Sequence, residues 1–442
     1  FDGDGDPDVF VTPSGESPVS GAHVFINQGG VQGGVAGEFV SNGQSLGVGD
    51  NPGVALGDID GNGTIDAITA DIDGNSRVWL NQPAPPPNVT FEDSGQLLGN
   101  LDYSTSHQAP GVALGDLDGD GDLDAFVVNQ NSSLTHGPEP DTGEPNRVFL
   151  NNNGVFTDSG QALGNEISGQ VQLGDFDNDG DLDAFVTNFG PNELWLNDGN
   201  GTFTNSGQTL GSGISIDVSI GDVDGDGDLD AVVANVTDGS SAGGEVWINQ
   251  GLHTGTFVNV ATTAWDTISA FGIDLGDVDG DGDLDAFVSQ GENAAGFGGE
   301  EKLLLNQGNG TFVDSGQSLG ASHSFGVVLE DFDSDGDLDA FVTGARAFPP
   351  GSGNDGVRDP NRYFVNMGGV QGGTKGVFGA PVQIFNDNQD QSRVAAADLD
   401  GDGDIDVFVA NVKDTLNSTD GQNRVYVNQG GLQGGTEGTF AD

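Results

Sequence analysis

The stretch Gly115–Val128, GDLDGDGDLDAFVV, decides how this chain is read. Aspartates stand at every second position, Asp116, Asp118, Asp120, Asp122 and Asp124, with a glycine at Gly121. Carboxylates this close repel one another in a compact loop, so the pattern calls for a doubly charged hard cation. An Asp-x-Asp-x-Asp-Gly-x-x-Asp loop offers side-chain oxygens from positions 1, 3, 5 and 9 and a main-chain carbonyl from position 7, and the glycine at position 6 permits the sharp turn. Oxygen donors without cysteine or clustered histidine point away from zinc, iron and copper. Magnesium keeps more of its own water, which leaves calcium as the better fit. An EF-hand would need glutamate at position 12, where this chain has Val127. Here position 9 closes the loop, and the strand-like Ala125–Val128 follows directly.

The loop recurs along the chain. Full-length copies hold Asp175, Asp177, Asp179, Asp181 and Asp183; Asp222, Asp224, Asp226, Asp228 and Asp230; Asp277, Asp279, Asp281, Asp283 and Asp285; Asp331, Asp333, Asp335, Asp337 and Asp339; and Asp398, Asp400, Asp402, Asp404 and Asp406. The copy Asp58, Asp60, Asn62, Thr64 and Asp66 is the weakest. Asn62 can still give a side-chain carbonyl and position 7 contributes its main chain, so lower affinity rather than loss is expected there. An eighth copy, Asp2, Asp4, Asp6 and Asp8, lacks only the first position. Up to eight calcium ions, one per loop, are expected. Self-similarity with a period near 50 residues marks a propeller or another repeat array.

Three further segments return between the loops. After Asp124 comes a hydrophobic strand to Asn129, then Arg147–Leu150 ending in asparagines, then Gly154–Thr157 leading into DSGQALG. The next loop is approached through Val171–Gly174, which makes four short strands per repeat in an antiparallel meander. Ala-Phe-Val runs such as Ala184–Val186 and Ala286–Val288 are apolar on both faces, as strands covered on both sides must be. Polar inserts between the second and third strands, Asn129–Asn146 and Gly344–Asn361, are expected to gather on one face.

Length alone would suggest about three domains, but a chain of repeats can form one. The expectation is an all-β, eight-bladed β-propeller occupying residues 1–442 as a single domain, its first repeat truncated at the N-terminal strand; a seven-bladed ring with an extra repeat is the alternative. The 77 glycines and 17 prolines suit short strands joined by tight turns. The net charge of −60 with only ten basic residues makes nucleic acid and anionic membranes poor partners, so no nucleic acid and no membrane insertion are expected, and more than half of the 70 acidic residues sit in the loops. No apolar run is long enough to span a bilayer. Cysteine is absent, so disulfides say nothing of the compartment. Calcium loops of this kind suit millimolar calcium, which points to a secreted or cell-surface location. Starting at Phe1 inside a motif, the sequence is read as a processed or truncated piece of a longer product.

The loop, set between a Gly-x-x-Leu-Gly strand and a Leu-Asp-Ala-Phe-Val strand, resembles the FG-GAP or VCBS repeat family. That family includes the β-propeller of integrin α subunits and many bacterial extracellular proteins. Phe271-Gly272 and Phe325-Gly326 match its phenylalanine-glycine pair; Pro52-Gly53, Pro110-Gly111 and Gly169-Gln170 depart from it without touching a metal ligand. The resemblance implies calcium loops that join the first and second strands of each blade. One strand is short of the count at the first repeat, so closure by flanking residues, or by a strand from a neighbouring subunit, is expected.

Other candidates are weighed against packing. Arg77, Arg147, Arg362 and Arg424 share a position before the third strand and are expected in structural ion pairs. Trp79, Trp195 and Trp247 share a position in that strand; sugar stacking would use such aromatics, but packing between blades is the expected role. Asn-x-Ser/Thr sequons at Asn62, Asn88, Asn131, Asn200, Asn235, Asn309 and Asn417 are easily met in an Asn- and Thr-rich chain. The histidines His23, His107, His136, His253 and His323 occupy different contexts and suggest no acid–base cluster. The function expected is a non-enzymatic extracellular calcium-binding scaffold for adhesion, matrix or surface assembly. Its partners would be other protein subunits or surface glycans, with strand exchange through the incomplete first blade. A lectin-like propeller and a polysaccharide lyase or hydrolase are the alternatives.

Overall fold

A computed structural model of the chain describes residues 1–12, 21–29, 34, 37–47, 53–70, 76–82, 89–98, 107–131, 145–236, 243–251, 254–260, 269–291, 299–345, 359–385, 390–400, 402–412, 423–430, 436 and 438–441. Among them the strands form eight successive antiparallel blades in sequence order. Blade 1 has three strands, Val9–Val11, His23–Asn27 and Phe39–Ser41. Blades 2 and 3 begin with Gly53–Gly57 and His107–Gly115, blade 4 with Ser168–Gly174, and blade 5 with Ile214–Gly221. Blades 6, 7 and 8 begin with Ala270–Gly276, Ser324–Glu330 and Asp390–Ala397. Each of blades 2 to 8 is a four-stranded meander, and the chain is an all-β, eight-bladed β-propeller. Every acidic loop leads into a sheet of its own, so the alternative of seven blades plus a spare repeat does not hold.

Blade 4 shows how the sequence sets the sheet. Its second strand, Asp183–Asn188, is buried along its whole length, as its unbroken apolar run required. It pairs with Ser168–Gly174 in the register Leu173 opposite Ala184 and with Glu193–Asn197 in the register Ala184 opposite Trp195. Phe203–Asn205 completes the sheet. The loop Asp175–Asp183 thus joins the first strand to the second. Loop position 4 lies in the left-handed region in several copies, φ 76° at Gly119 and 77° at Gly280, which suits glycine; Asn178 and Ser334 adopt it at 57° and 56°, asparagine with less strain than serine.

Two compact units emerge, one of residues Phe1–Ser215 with Asn249–Phe257, the other of Ile216–Ile248 with Val258–Asp442. In the first, apolar residues of adjacent blades interleave: Phe126, Val128 and Val148 of blade 3 pack with Ala184, Val186 and Trp195 of blade 4. In the second, Phe287 and Leu303 of blade 6 pack with Ala340, Val342 and Phe364 of blade 7. The phenylalanine-glycine pair has a packing reason here, because a Cβ on Gly272 would meet the Phe325 carbonyl oxygen at 2.6 Å. Phe271 and Phe325 stand with ring centroids 6.0 Å apart.

The Ser-Gly-Gln segment after the outer strand holds blades together. Gln161 Nε2 donates to Gly201 O at 2.7 Å, and its Oε1 accepts from Phe203 N at 2.8 Å. Gln96 and Gln208 make the same pair of bonds to the next outer strand in the first unit, as Gln317 does in the second, while Gln44 and Gln383 bond both the N–H and the carbonyl of one residue, Phe91 and Phe440. One amide here imitates a β-ladder partner. Most of the polar inserts after the second strands, including 132–144 and 346–358, lie outside the described residues. Replacing Gln161 by Ala leaves one carbonyl and one N–H without their partner, and an equilibrium urea titration is expected to show a loss of about 1–2 kcal/mol; an unchanged midpoint would deny the amide its role.

Candidate metal centres

Each loop is built around its ninth residue. In blade 4, Asp183 is fully buried. Its Oδ2 accepts from the N–H of Phe176 at 3.0 Å and of Asp177 at 3.2 Å, and its Oδ1 accepts from Asn197 N at 2.8 Å. The carboxylate therefore ties the loop to the third strand of its own blade. The same arrangement holds Asp66 to Ile59 and Asn81, Asp124 to Leu117 and Asn151, Asp285 to Val278 and Asn306, and Asp406 to Leu399 and Asn428. Asp8 does so with Phe1 and Asn27 in the first repeat. Position 1 accepts from the tip of the loop, Gly180 N to Asp175 Oδ2 at 3.1 Å and Gly227 N to Asp222 Oδ2 at 2.9 Å.

This folding brings the predicted ligands together. Carboxylate oxygens lie within 4.8 Å of one another in Asp58, Asp60 and Asp66, in Asp116, Asp118 and Asp124, in Asp175, Asp177 and Asp183, in Asp222, Asp224 and Asp230, and in Asp277, Asp279 and Asp285, with three further groups of this kind. The residues present fit a calcium ion. The donors are all oxygen, and Asp58 Oδ1, Asp177 Oδ1 and Asp333 Oδ1 are buried carboxylate oxygens that accept no hydrogen bond, a costly state that a cation would relieve. In the weak second loop the Asn62 carbonyl is already engaged, since it accepts from Thr64 N at 2.7 Å and from the Thr64 hydroxyl at 2.5 Å. Bound calcium would supply the positive charge that these carboxylates lack.

Burial without a counter-charge moves the loop carboxyls upward. Desolvation pushes Asp66, Asp124 and Asp406 up to about 6, and Asp183 and Asp285 to about 7. Asp339 rises to about 8, although the Tyr363 hydroxyl donates to it at 2.7 Å. Hydrogen bonds from the backbone oppose the shift in each case, and neighbouring loop aspartates add to it.

A set of asparagines outside the loop motif joins these centres to the next blade. In blades 2 to 8 a buried asparagine stands at the end of the third strand or within two residues of it. In the first unit, Asn151 Nδ2 donates to Ile59 O at 2.8 Å, Asn197 to Leu117 O at 2.8 Å and Asn249 to Phe176 O at 2.6 Å. In the second, Asn306, Asn366 and Asn428 reach Val223 O, Val278 O and Phe332 O at 2.6 to 2.7 Å. Each acceptor is position 2 of the preceding blade's loop. An asparagine ending all eight third segments was the available signal.

The shared arginines and tryptophans serve the scaffold. Arg77 Nη1 pairs with Asp93 at 3.2 Å, Arg147 with Asp158 at 4.0 Å, and Arg362, nearly buried, with Glu301. Trp79, Trp195 and Trp247 are buried, Trp79 Nε1 donating to Thr69 Oγ1 at 3.0 Å and Trp247 Nε1 to Glu245 Oε2 at 3.2 Å. Of the sequons, Asn235 is buried, Asn200 and Asn309 are exposed in turns, and Asn88, Asn417 and the side chain of Asn131 lie outside the described residues. His323 Nδ1 lies 2.8 Å from Asp359 Oδ2, and His23 Nδ1 3.2 Å from Gln44 O. His136, His253 and the His107 side chain are outside the described residues. Among those described, no helix is long and apolar enough to cross a membrane.

These blades and loops define a repeat propeller with an acidic loop in each blade. The FG-GAP-like repeat profile matches residues 1–69, 58–127, 175–233 and 222–288, more than half of the chain, and the chain belongs to that family. Among solved structures it is similar to an Agrocybe aegerita lectin described as recognising non-reducing terminal N-acetylglucosamine, at 19% identity and a TM-score of 0.43, over 83% of this chain and 88% of the lectin. It is also similar to BBS1N in complex with ARL6DN, at 11% identity and a TM-score of 0.44, over 91% of this chain and 94% of that one. No curated protein sequence matches it.

Two outcomes are expected. Asn197→Ala strips Leu117 O of its side-chain donor, with a stability loss of about 1–3 kcal/mol in urea, and weakens calcium binding at the Asp116–Asp124 loop of the neighbouring blade, read by calorimetric titration; unchanged binding would separate the asparagine from the site. The second concerns pH. Raised carboxyls hold their protons more tightly in the folded chain than in the unfolded one, so in chelator stability is highest near pH 4 and falls as pH rises to about 8. Calcium needs the ionised form, so the rise in Tm on adding it should grow across that window. A Tm in chelator that climbs with pH from 4 to 8 would contradict the assignment.

Proposed function

We propose that this protein is an extracellular calcium-binding propeller that serves as a non-enzymatic scaffold in adhesion, matrix or surface assembly. The observation that carries the reading is the chain of contacts from loop to blade to next blade. The ninth aspartate fixes the loop to its own third strand, and the asparagine ending the following blade's third strand holds the main chain of that loop. An ion in the loop would therefore stiffen two blades at once. Such coupling suits a protein whose work is to keep a large surface in shape. The charge of −60 supports an environment rich in divalent cations, and open oxygen-donor loops suit the millimolar calcium outside cells.

Assembly is the mode of action favoured. Protein subunits are the partners favoured. Surface glycans are the other class, but the repeated tryptophans that could stack on a sugar are buried, Trp79 and Trp195 between blades.

Negative-stain microscopy of the protein in calcium and after chelation tests this directly. Ordered polymers or sheets in calcium that fall apart in chelator are the expected result. Each site filled at a hundredfold excess over its Kd adds about 2.7 kcal/mol, so chelation should also lower the Tm by more than about 10 °C. Single particles in both conditions would remove the assembly reading, and a Tm indifferent to calcium would remove the calcium.

A further inference from the structure

The Asp331–Asp339 loop of blade 7 differs from the open loops in what lies over it. Asn366 and Phe378 bracket a long hairpin, Met367–Val377, where blade 4 has only the short turn 198–202. The hairpin contains the 3-10 turn Gly369–Gln371 and is closed by Gly373 N donating to Met367 O at 2.7 Å. It folds back onto the loop. Gln371 Nε2 donates to Asp333 Oδ2 at loop position 3, while Gln371 Oε1 is buried and accepts no hydrogen bond. Lys375 Nζ lies 2.6 Å from Asp337 Oδ1 and 3.2 Å from Gly336 O. The approach is close enough that a Cβ on Gly368 would collide with Asp337, and one on Gly369 with Asp335.

This loop is less exposed than the open ones, as is that of blade 8, where Asp404 is 3% exposed. Asp337 at position 7 is 3% exposed, where Asp122, Asp181, Asp228 and Asp283 are half-buried. Asp335 at position 5 is half-buried, where Asp120, Asp179, Asp226 and Asp281 are exposed. The sequence Gly-Gly-x-Gln-Gly-Gly of residues 368–373 returns at 29–34 and 430–435, most of which lie outside the described residues.

Resting on the calcium reading given above, we propose that Gln371 is an additional ligand to the ion of blade 7 through its amide oxygen, and that the hairpin makes this a covered site of higher affinity than the open loops. A glutamine amide carries donor and acceptor on one planar group. Without a cation, its NH2 faces the Asp333 carboxylate and its oxygen is left with no donor. With a cation on Asp333, turning the amide over about its last torsion, which is broad, brings the oxygen to the positive charge and the NH2 away from it. Glutamine carbonyls are ordinary calcium ligands. Lys375 does not compete, because position 7 gives its main-chain oxygen to the ion while its side chain holds the ammonium. The ion pair instead clips the hairpin down.

Hydrogen-exchange mass spectrometry of the whole chain across a calcium titration reads each loop separately. In the wild type, protection of 331–339 should reach its midpoint at a lower calcium concentration than protection of 222–230. Gln371→Ala should raise the midpoint at 331–339 by about tenfold and leave 222–230 where it was. Gln371→Glu keeps an oxygen and loses the NH2, and should hold the midpoint within about threefold of the wild type. An unmoved midpoint in Gln371→Ala overturns the proposal. So does a Gln371→Glu variant as impaired as Gln371→Ala, which would make the amide a donor only. If neither loop gains protection from calcium, the calcium reading itself fails, an outcome distinct from a binding loop that ignores Gln371.

Discussion

The buried carboxylate at the ninth loop position is the interaction on which the structure depends. At Asp183 it accepts N–H groups from the start of the loop and from the end of the third strand, so one side chain fixes the turn, the strand spacing and the place where a cation would sit. A charge withdrawn from water in this way is unfavourable unless it is compensated. The upward shift of these carboxyls, to about 8 at Asp339, expresses that cost. The acidic loop is thus a frame that folds incompletely satisfied, and a divalent ion bound there would compensate it.

Amides carry that local order from blade to blade. From blade 2 onward an asparagine at or near the end of the third strand reaches back to the preceding loop, and the glutamine after the outer strand reaches forward to the next outer strand. Both groups can donate and accept, so a single residue replaces two backbone partners across a gap that no ladder spans. Apolar packing fills the remaining space between sheets, with Phe126 and Phe203 edge to face at 5.3 Å in the first unit. Phe332 and Phe440 do the same at 5.5 Å in the second.

Residues that look like binding groups in a linear reading turn out to serve this frame. Trp79 and Trp195, at one shared position, point into the packing between blades, and the arginines Arg77 and Arg147 neutralise acidic side chains on neighbouring strands. Blade 7 adds a variation, in which a glycine-rich hairpin brings Gln371 and Lys375 over a loop that is otherwise built like the rest. Variation of function among near-identical repeats is concentrated in such insertions, because they alter a site without disturbing the sheet beneath it.

Periodicity alone determined the all-β class, the eight blades, the four-strand plan and the carboxylates of every loop, since residues that recur at fixed spacing must meet the same environment each time. Asp116 to Asp124 could be read as one cation site because all its ligands lie within nine positions of the chain. Tertiary structure decided what involves distant segments. That Asn197 serves the loop of another blade, that Gln161 completes the next outer strand, and that Gln371 overhangs Asp333 are facts about partners 38 to 80 residues away. No spacing rule within one repeat encodes them. They follow from how successive sheets stack, which fixes the neighbour of each amide only once the blades are packed.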